Sequence, residues 1–177
     1  DGRWLTQDDV ARLVEHAHRA GVRVVPELDV PGHVTSWLVA HPELAATPGP
    51  FTLRTTPGIA TDALHPLRPE VRGFVAALLA EVAGLFPDRY LHVGGDEVHE
   101  AAWPGLDVAT VQPEFTRWVT DEVRSLGKVP MVWDEAWNPD LAPDVACQVW
   151  RGHALLRRAA AEGRPALFST PYYLDLS

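Results

Sequence analysis

Two acids stand side by side at Asp96 and Glu97, directly after Gly94 and Gly95 in the run LHVGGDEV. Carboxyl groups donate and accept protons, and a pair of them ordinarily flanks the bond to be broken in glycoside hydrolysis, at a set separation. Adjacent residues do not suit that division of labour. On a regular strand they point to opposite faces, so Asp96 and Glu97 serve one pocket only if the ladder breaks before them. The glycines permit such a break, because they accept backbone conformations that other residues resist and let a ligand approach closely. One carboxyl can then protonate a leaving oxygen while its neighbour orients a nucleophile that belongs to the substrate. A solvated acidic loop is the plain alternative.

Other chemically capable residues also follow short apolar runs. VRVVPEL is followed by Asp29 and His33 in DVPGH, VPMVW by Asp134, Glu135 and Trp137, and a further run that ends in Trp150 by Arg151 and His153; the last run leads to Tyr172, Tyr173 and Asp175. The elements that must position them alternate. Capping residues and helical spacing of apolar positions predict helices over 6–20, 69–86, 113–126 and 153–162. Short apolar, largely β-branched runs predict strands over 22–28, 90–93, 129–133, 145–150 and 166–169. This alternation gives an α/β class with a mainly parallel sheet. Every cluster sits at the carboxyl end of a strand, the edge that carries the active site in (β/α) barrels. An open doubly wound sheet usually binds at one switch point instead. A closed barrel needs eight strands and typically ~250 residues, so about five strands amount to part of one.

The chain has 177 residues, 46% of them hydrophobic, which is enough for a real core, and no low-complexity linker divides it. One domain over 1–177, without an internal boundary, is expected. Its formal charge of −9 disfavours nucleic acid and anionic membrane as partners, since both attract basic patches. The sequence contains no apolar run of about 18 residues to span a bilayer. Cys147 is the single cysteine, so neither an internal disulfide nor a thiolate zinc site is available. The chain starts at Asp1 without a signal-peptide pattern or a methionine, as a piece of a longer chain would. Secretion, the periplasm and the cytoplasm all stay open, as does oligomeric state.

The ordered motifs VVPELDVPGH, HVGGDEV, MVWDEAW, QVWRG and YYLD resemble the β-N-acetylhexosaminidases of glycoside hydrolase family 20 over nearly the whole chain. HxGGDE is the specific signal. The resemblance implies a (β/α)8 TIM-barrel catalytic domain, present here from about the third to the seventh strand. It also implies a retaining, substrate-assisted hydrolysis of terminal N-acetylglucosamine or N-acetylgalactosamine, in which the acetamido carbonyl attacks the anomeric carbon. No cofactor and no metal is implied.

By position, Glu97 resembles the general acid/base, and Asp96 the acid that holds the acetamido N–H and stabilises charge on the forming oxazolinium ring. A nearby anion and a partly apolar pocket are what raise a proton donor's pKa. Trp133 and Trp150 resemble the indoles that enclose the N-acetyl group and sugar face, although core positions also suit tryptophan. Tyr173 resembles the hydroxyl that aims the acetamido carbonyl, and Asp175, two residues on and near the end, a ligand to a sugar hydroxyl. His33 resembles the histidine that sets the acid/base's protonation. Glu27, Asp29 and Trp37 are expected to shape that loop, Glu135 to orient its neighbours, and Trp103 and Trp137 to extend the sugar surface or to pack.

The family's arginine for the terminal sugar, an aspartate that pairs with the histidine, and an eighth strand with tryptophan and glutamate have no counterpart in this sequence. An inactive or merely sugar-binding remnant is therefore the second reading. A metal-dependent hydrolase using His92, Asp96, Glu97 and His99 is the third.

Overall fold

The computed structural model describes residues 4–56, 58–170 and 172–174. Helix α1 (Gln7–Arg19) opens with a reciprocal capping box. Thr6 Oγ1 accepts from the Asp9 backbone N–H at 3.1 Å, and the Asp9 carboxylate accepts from Thr6 N–H at 2.9 Å. A short helix α2 (Thr35–Ala40) and a 3-10 turn at Pro42–Leu44 follow. Helix α3 (Pro69–Leu85) places proline in its first turn, where no N–H is needed, and buries Val71, Val75 and Leu79 along one face.

Strand β1 (Tyr90–His92) leads into the Gly94-Gly95 segment. Helix α4 (Val108–Ser125), strand β2 (Val129–Trp133), strand β3 (Ala146–Val149), helix α5 (His153–Ala161) and strand β4 (Ala166–Phe168) complete the order. Helix α4 begins before Pro113, where the sequence pattern places its start. Asp107 supplies the cap, its carboxylate accepting from Ala109 N–H at 3.2 Å and from the Thr110 hydroxyl at 2.6 Å. Pro113 is thereby accommodated inside the helix.

The four strands form one parallel sheet in the order β1-β2-β3-β4. The order follows the chain without reversal. Residues 22–28, expected as a further strand, instead run beside β1 as a single parallel bridge between Glu27 and His92. His92 N–H donates to Pro26 O and Leu28 N–H to His92 O, both at 2.9 Å. Continuing this register toward the amino end would require an N–H from Pro26, which has none, so the ladder stops there.

The two faces of the sheet differ. Leu91, Val132, Cys147 and Val149 point to the helix side, where they meet Phe115, Val119 and Val123 of α4 and the buried row of α3. Strand register puts His92, Met131, Trp133 and Gln148 on the opposite face. That face ends in an apolar groove of about 290 Å³ between Val25, Tyr90, Met131, Ala146 and Leu167. No described helix is long and apolar enough to cross a membrane.

Candidate active site

The ladder does break after β1. Gly94 and Gly95 take φ of 66° and 94°, and Glu97 takes 51°. Close packing makes both glycines necessary. A Cβ on Gly94 would lie 1.7 Å from Asp29 Oδ1, and one on Gly95 would lie 2.5 Å from Ala136 Cβ. Every polar backbone group of the two residues has a partner, three of the four partners coming from other parts of the fold. Gly94 N–H donates to His92 Nδ1 at 3.0 Å, and Gly94 O accepts from the Trp133 backbone at 3.0 Å. Gly95 N–H donates to Asp29 Oδ1 at 2.9 Å, and Gly95 O accepts from Gln112 Nε2 at 2.9 Å. Irregular backbone held this tightly re-aims the side chains that follow. Asp96 and Glu97 consequently line the same cavity, of about 190 Å³, together with Trp133, Trp150 and Tyr173.

Each indole of this cavity is held by a carboxylate. Trp133 Nε1 donates to Glu27 Oε1 at 2.8 Å, and Trp150 Nε1 to Glu135 Oε2 at 3.1 Å. Burial pushes both glutamate pKa values up, and the indole N–H bonds pull the other way by favouring the anions. Trp133 also packs against the His92 ring, with centroids 4.9 Å apart. Arg151 secures the end of β3. Its backbone N–H and its Nε donate to the two oxygens of buried Asp134 at 3.2 and 2.9 Å. The Tyr173 hydroxyl oxygen accepts from Ser169 Oγ at 3.2 Å, which ties the last wall of the cavity to the end of β4. Asp175 lies outside the described residues.

His33 occupies the rear of the acid pair. Its Nε2 is 3.4 Å from Glu97 Oε2, 3.6 Å from Asp96 Oδ2 and 4.0 Å from Asp29 Oδ2. Asp96 Oδ1 is buried without a hydrogen-bond partner among the described residues. Two adjacent carboxyls on one cavity wall, an imidazole 3.4 Å from one of them, and two indole walls can bind a small neutral polar ligand and move a proton at its edge.

The four residues of the metal-centred alternative are not brought together. His92 is buried, takes its hydrogen bond from Gly94, and has its pKa pushed down to about 3 by that burial. His99 Nδ1 accepts from Ala101 N–H, closing a 3-10 turn at Glu100–Ala102. Asp29, His33 and Asp96 converge instead, with side-chain polar atoms within 4.8 Å of one another.

Trp103 and Trp137 pack rather than extend the cavity. Trp103 is buried and donates to Leu64 O at 2.9 Å. Trp137 is buried with the guanidinium groups of Arg158 and Arg164 over its ring at 5.2 and 5.3 Å. Sequence spacing passed over Gln112. Its position in the first turns of α4 was hidden by the proline beside it.

The catalytic-domain model of glycosyl hydrolase family 20 matches residues 1–177. The beta subunit of β-hexosaminidase from Homo sapiens is 31% identical over 193 residues, covering 97% of this chain and 34% of that protein. A β-hexosaminidase from Porphyromonas gingivalis is 32% identical over 162 residues, covering 84% and 21%. Among solved structures, the Flavobacterium johnsoniae chitobiase superposes with a TM-score of 0.91 at 29% identity, covering 99% of this chain and 30% of that one. The Vibrio harveyi exo-β-N-acetylglucosaminidase in complex with N-acetylglucosamine gives 0.80 at 27% identity, covering 93% and 28%. The chain thus spans about a third of the length of the human relative it matches. A match that runs from the first residue to the last, with the paired acids, histidine and tryptophans gathered around one cavity, places this chain in glycosyl hydrolase family 20, as part of its catalytic domain.

Proposed function

We propose that this chain is the acid/base-bearing arc, about the third to the seventh strand, of a single (β/α)8 barrel domain that removes terminal non-reducing N-acetylhexosamine from β-N-acetylhexosaminides. The sequential parallel order and the apolar groove on the face away from the helices support the barrel. A parallel sheet is ordinarily covered on both faces, and in a barrel the second face turns inward.

One observation carries the chemistry: Asp96 and Glu97 are neighbours in sequence and share one cavity wall. Two carboxyls so placed do not straddle a scissile bond as an acid and a protein nucleophile do. The nucleophile in this reading is the substrate's own acetamido oxygen. Asp96 accepts the acetamido N–H and stabilises positive charge as the oxazolinium ring closes. Tyr173 hydrogen-bonds the acetamido carbonyl, and Trp133 and Trp150 enclose the N-acetyl methyl and the sugar face. Glu97 protonates the glycosidic oxygen and then takes a proton from the water that opens the ring. His33, 3.4 Å behind Glu97, sets its protonation. Asp175 is assigned a sugar hydroxyl.

Turnover of a chromogenic N-acetyl-β-glucosaminide, by this chain and by a full-length protein containing it, tests the reading. Hydrolysis with retention, inhibited by a thiazoline that mimics the oxazolinium intermediate, is expected of the full-length protein. Saturable binding of N-acetylglucosamine without turnover by either would make the protein a sugar-binding remnant.

A further inference from the structure

The cavity's anion has a partner that the mechanism above leaves unused. Asp29 lies beneath the Gly94-Gly95 segment, and its side chain is largely buried, as is that of Asp96. Its Oδ1 accepts the Gly95 N–H, and its carboxyl converges with that of Asp96 and with the His33 imidazole, polar atoms of the three lying within 4.8 Å of one another. Two carboxylates cannot share a hydrogen bond unless one of them holds a proton.

The surrounding charges decide that a proton is retained. Glu27 faces Asp29 from its own segment, Asp96 from the β1 loop, and Glu97 from across the imidazole of His33. From the β2 side the neighbour is apolar Ala136, and the Trp133 indole is engaged with Glu27. His33 is the cation-forming group within 4.0 Å of the pair among the described residues. It lies nearer to Asp96, at 3.6 Å, than to Asp29, at 4.0 Å, so the negative charge is better placed on Asp96.

Building on the proposed hexosaminidase reading, we propose that Asp29 is a positioning residue. It acts as a neutral acid that donates its proton in a hydrogen bond to Asp96, leaving Asp96 as the pair's single anion and the acceptor for the acetamido N–H. Burial, followed by the charge of Asp96, raises the Asp29 pKa to about 9, and the Gly95 N–H opposes that rise without cancelling it. The proton is therefore held across the neutral range. The arrangement resembles other buried carboxyl pairs that share one proton because both cannot ionise at close range.

At position 29 an amide, which never ionises, should replace the acid. In the full-length protein, Asp29→Asn keeps the donor to Asp96 and retains most of kcat. Asp29→Ala removes the donor and lowers kcat by about 10²-fold, the cost of misplacing a group that acts on the reacting atoms, with a smaller effect on KM. A substrate with an activated dinitrophenyl leaving group departs without protonation by Glu97, so its alkaline limb reports Asp29. That limb falls through about 9 in the wild type and is missing from Asp29→Asn.

Infrared difference spectra supply a readout independent of turnover. The wild-type-minus-Asp29→Asn difference spectrum at pH 7 contains the C=O stretch of one protonated carboxyl, the component that Asp29→Asn loses. Loss of activity in Asp29→Asn equal to that in Asp29→Ala, with both variants melting cooperatively, overturns the proposal, as does an unchanged infrared band. A wild-type protein whose band loses the Asp29 component in Asp29→Asn, but which turns over no N-acetylhexosaminide, refutes the hexosaminidase reading and leaves the shared proton standing.

Discussion

His33 Nε2 and Glu97 Oε2 lie 3.4 Å apart, and these two residues are also the non-glycine positions with positive φ among the described residues, at 55° and 51°. Such conformations cost of order 1–3 kcal/mol each and persist where the surrounding structure over-determines them. The strain is therefore concentrated on an imidazole and a carboxyl that face each other. Proline and glycine before His33, and two glycines before Asp96 and Glu97, bring both chains round to that meeting point.

Glu97→Gln should lower kcat on an alkyl N-acetyl-β-glucosaminide, a poor leaving group, by about 10²–10⁴-fold, the usual contribution of general acid catalysis. Affinity for N-acetylglucosamine should change little. Steady-state kinetics beside calorimetric binding checks this, and a near-normal rate on that substrate would remove Glu97 from the acid role.

The bond from Trp133 Nε1 to Glu27 Oε1, at 2.8 Å, fixes the plane of one cavity wall. Glu27→Ala should weaken N-acetylglucosamine binding by about 1 kcal/mol, roughly fivefold, since an ordinary hydrogen bond contributes that much. Glu27→Gln keeps an acceptor and should restore most of the loss. Titration of indole fluorescence measures both, and equal affinity of Glu27→Ala and wild type would separate Glu27 from the wall.

Gly94→Ala and Gly127→Ala place the same methyl on similar backbones, at φ of 66° and 75°. At Gly127 nothing lies within 4 Å, so only the conformational penalty of about 1–2 kcal/mol applies. At Gly94 the methyl meets the Asp29 carboxyl and Cα, and a larger loss follows together with loss of turnover. Urea unfolding of the two variants compares them directly; equal destabilisation would mean that Asp29 can yield.

Burial holds the His92 pKa near 3, below its ordinary value of 6.5. Between these values the unfolded chain binds a proton that the folded chain refuses, so His92 costs stability as pH falls from 6.5 toward 3. The slope is at most about 1.4 kcal/mol per pH unit. His92→Asn, which can still accept the Gly94 N–H, should flatten the acid side of the stability profile measured by denaturant unfolding. An unchanged profile would show that His92 protonates without opening the fold.

The alternation of helices and short apolar runs, and the gathering of acids, histidine and aromatics just after those runs, were legible in the sequence because both follow from local pattern. Capping residues, helical spacing and β-branched runs act over a few neighbours. The family motif added expected roles to Asp96, Glu97, Trp133, Trp150, Tyr173, Asp175 and His33. Local pattern misplaced two boundaries: the run 22–28 became a single bridge because Pro26 lacks a donor, and α4 began at Asp107's cap rather than at Pro113.

Only the tertiary structure decided which residues serve one another across the chain. Glu27 holds Trp133 over 106 positions, Asp29 holds Gly95 over 66, and Trp103 and Trp137 turn to the core while Trp133 and Trp150 wall the cavity. A side chain's type sets what bonds it can make, but its partner, burial and charge environment come from elements distant in sequence. For the same reason the pair Asp96 and Glu97 could be read from the chain, and Asp29 only as a residue of the His33 loop, whereas the meeting of Asp29 with Gly95 and Asp96 came with the tertiary structure.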